Sequence, residues 1–323
     1  MSLSSVEKIC HALSSGVDDV LEFISDEKRK KTMIKRCVDV SKLEARIKAN
    51  PFLSLIYQGY VCSGQVFLAF RNNEATFYYH GKQLCNMRDS KNFDPTINKA
   101  FLPLRTIISG GSQYISEKEW QENTNLSCGY STVLVEILEN IEHRQDPESL
   151  QVSYLYKFSP LCNQCSSDII LLDIEAAFAE SGVPDRDRID VVMYDKIRQQ
   201  LLFAEIKRLS DVRLQKGGKL QSEIVTQMDG YRNILDKEKP TIIEQYNRVI
   251  EYYSQLAQTA IPSINAKKDI LLGLWITEYI RDDSSYVKDL RKQIGTKFPV
   301  ADIGQMSSLT AASLEKVCKL FSK

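Results

Sequence analysis

Histidine is scarce in this sequence, which has only His11, His80 and His143 among its 323 residues. None of the three lies near another histidine or a cysteine at the spacing of metal ligands. This scarcity disfavours histidine-based nucleophilic catalysis and zinc hydrolase chemistry. Any metal ion bound by this chain is therefore expected to have oxygen ligands.

Paired cysteine motifs are lacking as well. The eight cysteines are scattered in mostly apolar surroundings, which is typical of reduced thiols in a cytoplasmic protein. Cys162 and Cys165 form the only close pair in the sequence, and a zinc knuckle would need a second pair nearby. We interpret these two cysteines as turn residues or buried thiols rather than as metal ligands.

Long apolar runs and net charge are both missing. Without an apolar run of roughly 18 residues, and with charges throughout the N-terminal segment, neither a membrane span nor a secretory signal is expected. The formal net charge is zero, so a polyanion would have to bind to local basic patches. Two such patches occur, at residues 28–48 and 206–219, although the first is also typical of a solvated helix face. The residues predicted to contact phosphates are Lys28, Arg29, Lys31, Lys35, Arg36, Arg208, Arg213, Lys216 and Lys219.

The pattern of apolar residues divides the chain into two halves, 1–148 and 149–323, with Asp146-Pro147 as the joint. The first half is predicted to be an α+β domain. Its elements are helices within residues 3–48, an antiparallel meander of strands after Pro51, a further strand within 100–115 and a helix over 116–142.

The second half is predicted to have an α/β layout, because helical and strand patterns alternate along it. It is expected to begin with a helix over 166–181, followed by a hairpin of two apolar strands, 188–195 and 199–207. The remaining elements are helices over 220–236 and 241–260, a strand over 270–278, and helices over 284–294 and 308–321.

Three charged residues interrupt the apolar hairpin: Asp190 in the first strand, and Glu205 and Lys207 in the second. Side chains alternate between the faces of a strand, so Glu205 and Lys207 share a face. If the turn is centred on Ile197 and Arg198, Asp190 lies directly opposite Glu205. A shift of one residue in the turn would remove this pairing.

Facing carboxylates repel each other, and burying an unpaired one costs free energy. An Mg²⁺ ion between Asp190 and Glu205 would neutralise both, and the backbone carbonyl of Ile206 would be a further ligand. Lys207 would then contact a phosphate or orient the attacking water, which suits phosphodiester hydrolysis. The alternative is a salt-bridge trio on a half-solvated hairpin.

Residues on either side of the hairpin extend this constellation. Glu175, in the predicted helix upstream, is a candidate for a further carboxylate at the metal. Downstream, Gln227 and Tyr231 are four residues apart and therefore share one helix face, which would lie beside Lys207 or a substrate phosphate. Packing for Tyr231 and solvent exposure for Gln227 remain the alternative.

The arrangement of Asp190, Glu205 and Lys207 within IDVV…LLFAEIK resembles the PD-(D/E)XK phosphodiesterase superfamily. This resemblance implies a restriction-endonuclease-like core of order α-β-β-β-α-β, with Asp190 and Glu205 as metal ligands. It also implies Lys207 as the catalytic lysine and Glu175 as the acid on the helix. The core needs a third strand beside the hairpin, expected at 184–188 or within 151–158.

The spacing of Gln227 and Tyr231 is similar to a signature of the RecB-like branch of this superfamily. Some members of that branch also hold an iron–sulfur cluster on four cysteines. Here only Cys318 follows the core, so no cluster is expected. Pro184-Asp185 resembles the "PD" of the family motif, but Asp190 is better placed within its strand.

We therefore expect a cytoplasmic, Mg²⁺-dependent nuclease that hydrolyses duplex or single-stranded DNA, such as a restriction or defence endonuclease, with Mn²⁺ as a substitute metal. The N-terminal half would bind substrate, regulate the nuclease or form a homodimer. Two alternatives remain open. One is a catalytically silent protein that binds nucleic acid or assembles on a nuclease-like fold. The other is an RNA nuclease in which Phe77, Tyr78 and Tyr79 stack on unpaired bases.

Overall fold

The computed structural model describes residues 35–103, 113–123, 129–144, 146–177, 188–214, 219–278, 284–295 and 297–321. Within these ranges the chain forms two five-stranded sheets with helices packed around them, the mixed α/β architecture expected from the sequence. Helices and strands are numbered below among the described residues only.

The first sheet is an antiparallel meander, as predicted. Its strands follow one another in space in the order β1-β2-β3-β4-β5. Asn73 and the pair His80-Gly81 make the tight turns between the first three strands, with backbones in the left-handed region. The strands are β1 (Val66–Arg71), β2 (Glu74–Tyr79), β3 (Lys82–Arg88), β4 (Pro95–Asn98) and β5 (Tyr114–Ser116).

Four described helices belong to this half: α1 (Val40–Ala49), α2 (Pro51–Ile56), α3 (Glu117–Asn123) and α4 (Gly129–Glu142). The prediction of helix over 3–48 is wrong for residues 35–39. There the chain forms an isolated bridge between Cys37 and Asn72. Helix α1 begins only after Asp39, whose carboxylate accepts a hydrogen bond from the Lys42 N–H at 3.0 Å and so caps the helix.

The second sheet is mixed, with the spatial order β10-β9-β8-β7-β6. Strands β6, β7 and β8 are antiparallel to one another, whereas β8, β9 and β10 run parallel. The strands are β6 (Ile169–Ala177), β7 (Arg188–Asp195), β8 (Gln200–Arg208), β9 (Leu271–Thr277) and β10 (Val300–Gly304). The helices are α5 (Pro147–Ser153), α6 (Lys219–Lys237), α7 (Lys239–Ala257), α8 (Ser284–Ile294) and α9 (Ala311–Phe321).

Strand β6 corrects the predicted helix over 166–181. The first six residues of the strand are buried, so both of its faces are covered, and apart from Asp173 these six residues are apolar without alternation. Such a run does not distinguish a buried strand from a buried helix. β6 is also the third strand beside the hairpin, which was sought at 151–158 and 184–188. Residues 151–153 instead end helix α5, and 184–187 lie outside the described residues.

A buried carboxylate joins the two halves of the chain. Asp173 on β6 is 1% exposed and accepts hydrogen bonds from Arg36 Nη2 at 2.7 Å, from Arg71 Nη1 and from the Tyr246 hydroxyl at 3.0 Å. Arg36 precedes α1, Arg71 ends β1, and Tyr246 lies on α7. Burial alone would raise the pKa of Asp173, but Arg71 and Arg36 outweigh burial and lower it.

The two halves share one hydrophobic core. Apolar residues from both sheets and from the helices around them form a single buried cluster. The predicted boundary between 148 and 149 falls inside helix α5, so the division into two domains stays a prediction. None of the described helices combines the length and the apolar character needed to cross a membrane.

Replacing Asp173 by Asn should destabilise the fold by about 3–5 kcal/mol, because two arginines would lose the charge that neutralises them in the interior. Urea unfolding near neutral pH measures this loss. The control is Asp94→Asn, since Asp94 pairs with Arg46 at the surface and such pairs contribute less than about 1 kcal/mol. Equal unfolding free energies for the two variants would contradict the role given to Asp173.

Candidate active site

The hairpin has the strand register that the sequence predicted. Val191 pairs with Ala204, and the pairing continues to Asp195 with Gln200 at the turn. One residue before Val191, Asp190 Oδ2 accepts a hydrogen bond from the Ile206 N–H at 2.6 Å. The Asp190 carboxylate is therefore fixed beside the part of β8 that carries Glu205.

Glu205 and Lys207 form a buried ion pair, with 2.6 Å between Lys207 Nζ and Glu205 Oε1. Their side chains are only 2% and 5% exposed. The second oxygen, Glu205 Oε2, is buried and has no hydrogen-bond partner among the described residues. Burying a carboxylate oxygen without a hydrogen-bond partner costs free energy. Because the protein supplies no partner among the described residues, this oxygen is a candidate ligand atom for a bound cation.

The pKa values of all three groups are raised, for the two carboxylates chiefly by burial. Burial and the nearby Glu205 raise the pKa of Asp190 to about 8, and burial raises the pKa of Glu205 although Lys207 opposes this. For Lys207, burial disfavours the charge, but Glu205 and Asp190 outweigh it and raise its pKa. The site therefore has more negative charge than its single ammonium stabilises, as expected where a cation binds.

The predicted Gln/Tyr face of α6 lies against this ion pair. Gln227 Nε2 donates hydrogen bonds to Glu205 Oε1 at 3.0 Å and to the Tyr231 hydroxyl oxygen at 2.7 Å. The Tyr231 hydroxyl in turn donates to the backbone carbonyl of Arg188 at 2.6 Å. These bonds tie α6 to the start of β7 and fix the orientation of the Glu205 carboxylate.

Glu175 lies near Asp190 but on a strand, because residues 169–177 form β6 rather than a helix. It has a positive φ of 46° and pairs with Arg188 Nη1 at 3.2 Å. A small cavity of about 90 Å³ is lined by Glu175, Asp190 and Ile206 together with residues of α5. Glu175 thus lines the same cavity as Asp190, but the prediction that it lies on a helix is wrong.

Glu148 is an acidic residue of the site that sequence reasoning missed. It lies in the first turn of α5, lines the same cavity as Asp190, and its charge adds to the rise in the Asp190 pKa that burial and Glu205 cause. A helix start is visible in the sequence at Asp146-Pro147, where Asp146 caps the helix and Pro147 occupies its first turn. The same dipeptide also suits an interdomain joint, and that interpretation hid the helix.

The first sheet holds α5 in place. Gly81, in the turn between β2 and β3, packs so closely on α5 that a Cβ atom there would lie 2.7 Å from the Cα of Ser149. The next residue, Lys82, forms an ion pair with Asp146 at the helix start. The helix that carries Glu148 is therefore positioned by a turn of the N-terminal half.

The predicted phosphate-binding residues lie in different surroundings. Arg36 is 4% exposed and bound to Asp173, so it does not present its charge at the surface. Arg208 pairs with Glu278 at 2.6 Å, and Lys35 is exposed. Arg213 is bound through two nitrogens to Asp211 and is 3.9 Å from Glu148. Lys28, Arg29, Lys31, Lys216 and the side chain of Lys219 lie outside the described residues.

The aromatic residues considered for base stacking are not exposed. Phe77 is fully buried and Tyr79 is 6% exposed. Tyr78 is half-buried and faces the guanidinium of Arg71 at 5.9 Å. Their alternation reflects the core of the first sheet, so this argument for RNA binding is lost.

The donor atoms of the site fit a hard divalent cation. Asp190, Glu205 and the backbone carbonyl of Ile206 offer the oxygen ligands that Mg²⁺ and Mn²⁺ prefer, and Glu205 Oε2 has no other bonding partner among the described residues. Within the described ranges, no three side chains of His, Cys, Asp or Glu are grouped as a metal centre. The fit therefore depends on two carboxylates and a backbone oxygen, with water completing the coordination.

Without metal, Asp190→Asn should stabilise the protein by about 1–3 kcal/mol at pH 8, because the substitution removes a carboxylate whose charge is buried and repelled by Glu205. Because the folded-state pKa of Asp190 is raised, this residue does not destabilise the wild-type fold at pH values below the ordinary aspartate pKa. The wild type loses stability as the pH rises from there towards 8. Urea unfolding in EDTA should therefore show that Asp190→Asn has a higher unfolding free energy than the wild type at pH 8, and that this difference is smaller at pH 5.

Asp269→Asn is the control for this experiment. Asp269 is exposed, and its hydrogen bond to Lys239 lowers its pKa, which is the opposite direction. That variant should show no gain in stability with rising pH. A variant Asp190→Asn less stable than the wild type at pH 8 in EDTA would contradict the charge imbalance described above.

Comparisons with known proteins leave the family of this chain open. No protein-family model matches the sequence, and no match was found among curated proteins or solved structures. The functional interpretation therefore rests on the geometry and the charges of the residues around the hairpin of β7 and β8.

Proposed function

We propose that this chain is a divalent-metal-dependent nuclease that hydrolyses phosphodiester bonds in DNA, with a site of the PD-(D/E)XK type. The observation that carries the proposal is the buried, unpartnered Oε2 of Glu205, next to Lys207 and beside Asp190. A salt-bridge trio on a half-solvated hairpin would leave that oxygen in water, and here it is buried.

The charge balance supports a bound metal. Two carboxylates share one ammonium, and burial together with the charge of Glu205 raises the pKa of Asp190 to about 8 in spite of Lys207. Asp190, Glu205 and the carbonyl of Ile206 would hold Mg²⁺ or Mn²⁺, at the cost of releasing the proton from Asp190. When bound, the metal supplies Lewis-acid polarisation of a phosphoryl oxygen and makes a water molecule more acidic.

Lys207 acts as a cation rather than as a base in this proposal. Its pKa is raised by Glu205 and Asp190 in spite of burial, so the ammonium stays protonated at neutral pH. A buried ammonium close to the scissile phosphate orients the attacking water and stabilises the charge that develops on the phosphoryl oxygens. Gln227 and Tyr231 are positioning residues, because they hold Glu205 and the start of β7.

The order of elements around the site supports the same proposal. Helix α5 is followed by β6, β7 and β8, then by α6 and α7 and the parallel strand β9, which agrees with an α-β-β-β-α-β core. Glu148, on α5, takes the place of the helix acid that the sequence assigned to Glu175. DNA is the favoured substrate, because two of the three aromatics proposed to stack on RNA bases, Phe77 and Tyr79, are buried, and the third, Tyr78, faces Arg71.

The first test measures cleavage of supercoiled plasmid, linear duplex, single-stranded DNA and RNA with Mg²⁺ or Mn²⁺. Lys207→Ala and Glu205→Gln should each lower the cleavage rate by about 10²–10³-fold, because the first removes the ammonium beside the reacting phosphate and the second removes a ligand of the metal. Lys268→Ala, at an exposed lysine outside the site, should cleave like the wild type.

Activity in Lys207→Ala equal to that of the wild type would contradict the nuclease proposal. So would an absence of cleavage of all four substrates by wild-type protein that binds Mn²⁺. Cleavage of RNA alone would keep the reaction but overturn the assignment of DNA as substrate.

A second test compares the roles of the two further acidic residues, Glu148 and Glu175. Glu148→Gln should lower the cleavage rate by about 10-fold or more, because Glu148 lies in a helix start that faces Asp190. Glu175→Gln should have a smaller effect, since Glu175 already pairs with Arg188. Manganese titration by calorimetry supplies an independent measurement, and a larger loss of affinity in Glu175→Gln than in Glu148→Gln would reverse the assignment.

A further inference from the structure

A second cavity, of about 380 Å³, lies at the other end of the hairpin. Its walls come from the segment after α2, from residues 160–165, from the turn after β7 and from the end of α7. The volume is in the range of about 300–1,000 Å³ that is typical of small-molecule sites. The apolar part of the wall is formed by Leu161, Ile170, Leu256, Ala257 and Ile261.

Lys196 is the charged residue of this cavity. No acidic residue is among the described residues that line it, and Lys196 makes no ion pair with any residue in the described ranges. The residue is half-buried in the wall of the cavity. The charge lies close to the Cys165 thiol, because it partly offsets the rise in the Cys165 pKa that burial causes.

Neutral hydrogen-bonding groups stand beside this single charge. Asn163, Thr259 and Tyr57 line the same cavity. Burial raises the pKa of Tyr57 to about 12, so its hydroxyl keeps its proton and remains a donor at neutral pH. One cation with a few neutral donors suits one negative charge, whereas a phosphate dianion would call for more cationic groups.

We propose that this cavity binds a small monocarboxylate with an apolar body, whose carboxylate pairs with Lys196 while its chain lies against the apolar wall. The thiols of Cys62, Cys162 and Cys165 form part of the lining that the ligand would cover. This binding site is separate from the nuclease proposal and does not depend on it. Asp190 lies on β7 and Lys196 directly follows this strand, six residues further on, so the two are about 20 Å apart.

The test uses octanoate as the probe and isothermal calorimetry on the whole chain as the measurement. Octanoate should bind, and octylamine, which has the opposite charge on the same chain, should not. Lys196→Ala and Lys196→Gln should each weaken octanoate binding by at least about tenfold, because each removes a charge-assisted contact. Lys268→Ala, at an exposed lysine away from the cavity, should bind octanoate like the wild type.

Thiol labelling locates the bound ligand. Octanoate should slow the alkylation of the half-buried Cys62 and Cys165 by iodoacetamide and leave the alkylation rate of the exposed Cys37 unchanged. Mass spectrometry measures the extent of alkylation at each cysteine over time. The proposal is overturned if octanoate does not bind at millimolar concentration, if both Lys196 variants bind it as the wild type does, or if octylamine binds equally well. Protection of Cys37 to the same extent as Cys165 would also overturn it.

Discussion

The contact on which the rest of this structure depends is the carboxylate of Asp173 between two arginines from the other half of the chain. Arg36 fixes the segment before α1, Arg71 fixes the end of β1, and Tyr246 brings α7 to the same point. Because the carboxylate is buried, each of these attachments requires the others to be in place. The two sheets therefore fold as parts of one core, whatever functional division exists between them.

The buried acidic residues of the second sheet differ in how far their charges are neutralised. Asp173 has two arginines and a tyrosine hydroxyl, and its pKa is lowered although it is buried. Asp190 and Glu205 have one lysine between them, and their pKa values are raised. A fold that can supply two arginines to one carboxylate is able to neutralise buried charge. The shortage of positive charge at the hairpin is thus a property of that site, and it is the physical basis of the proposal that a metal binds there.

The hairpin could be predicted from the sequence because its determinants are local. Two apolar strands, one short turn and the alternation of side chains are sufficient to predict the register that places Asp190 opposite Glu205. Arg36 was misassigned to the surface because its partner Asp173 lies 137 residues away. The strand β6 was assigned to a helix because burial on both faces removes the alternation that marks a strand. Glu148 was missed for the same reason as the contact of Arg36: its neighbour in space is distant in the sequence, and only the packing of α5 brings Glu148 to Asp190.

The close packing of Gly81 on Ser149 has a consequence for how this protein tolerates genetic change. Gly81 has a positive φ of 75°, and a side chain there would have to displace the backbone of α5. Under the nuclease proposal, a random mutagenesis screen would therefore recover variants of reduced activity at a turn that contains none of the residues proposed for the reaction. A map of such variants would show a patch of sensitivity on the first sheet, away from the proposed catalytic residues.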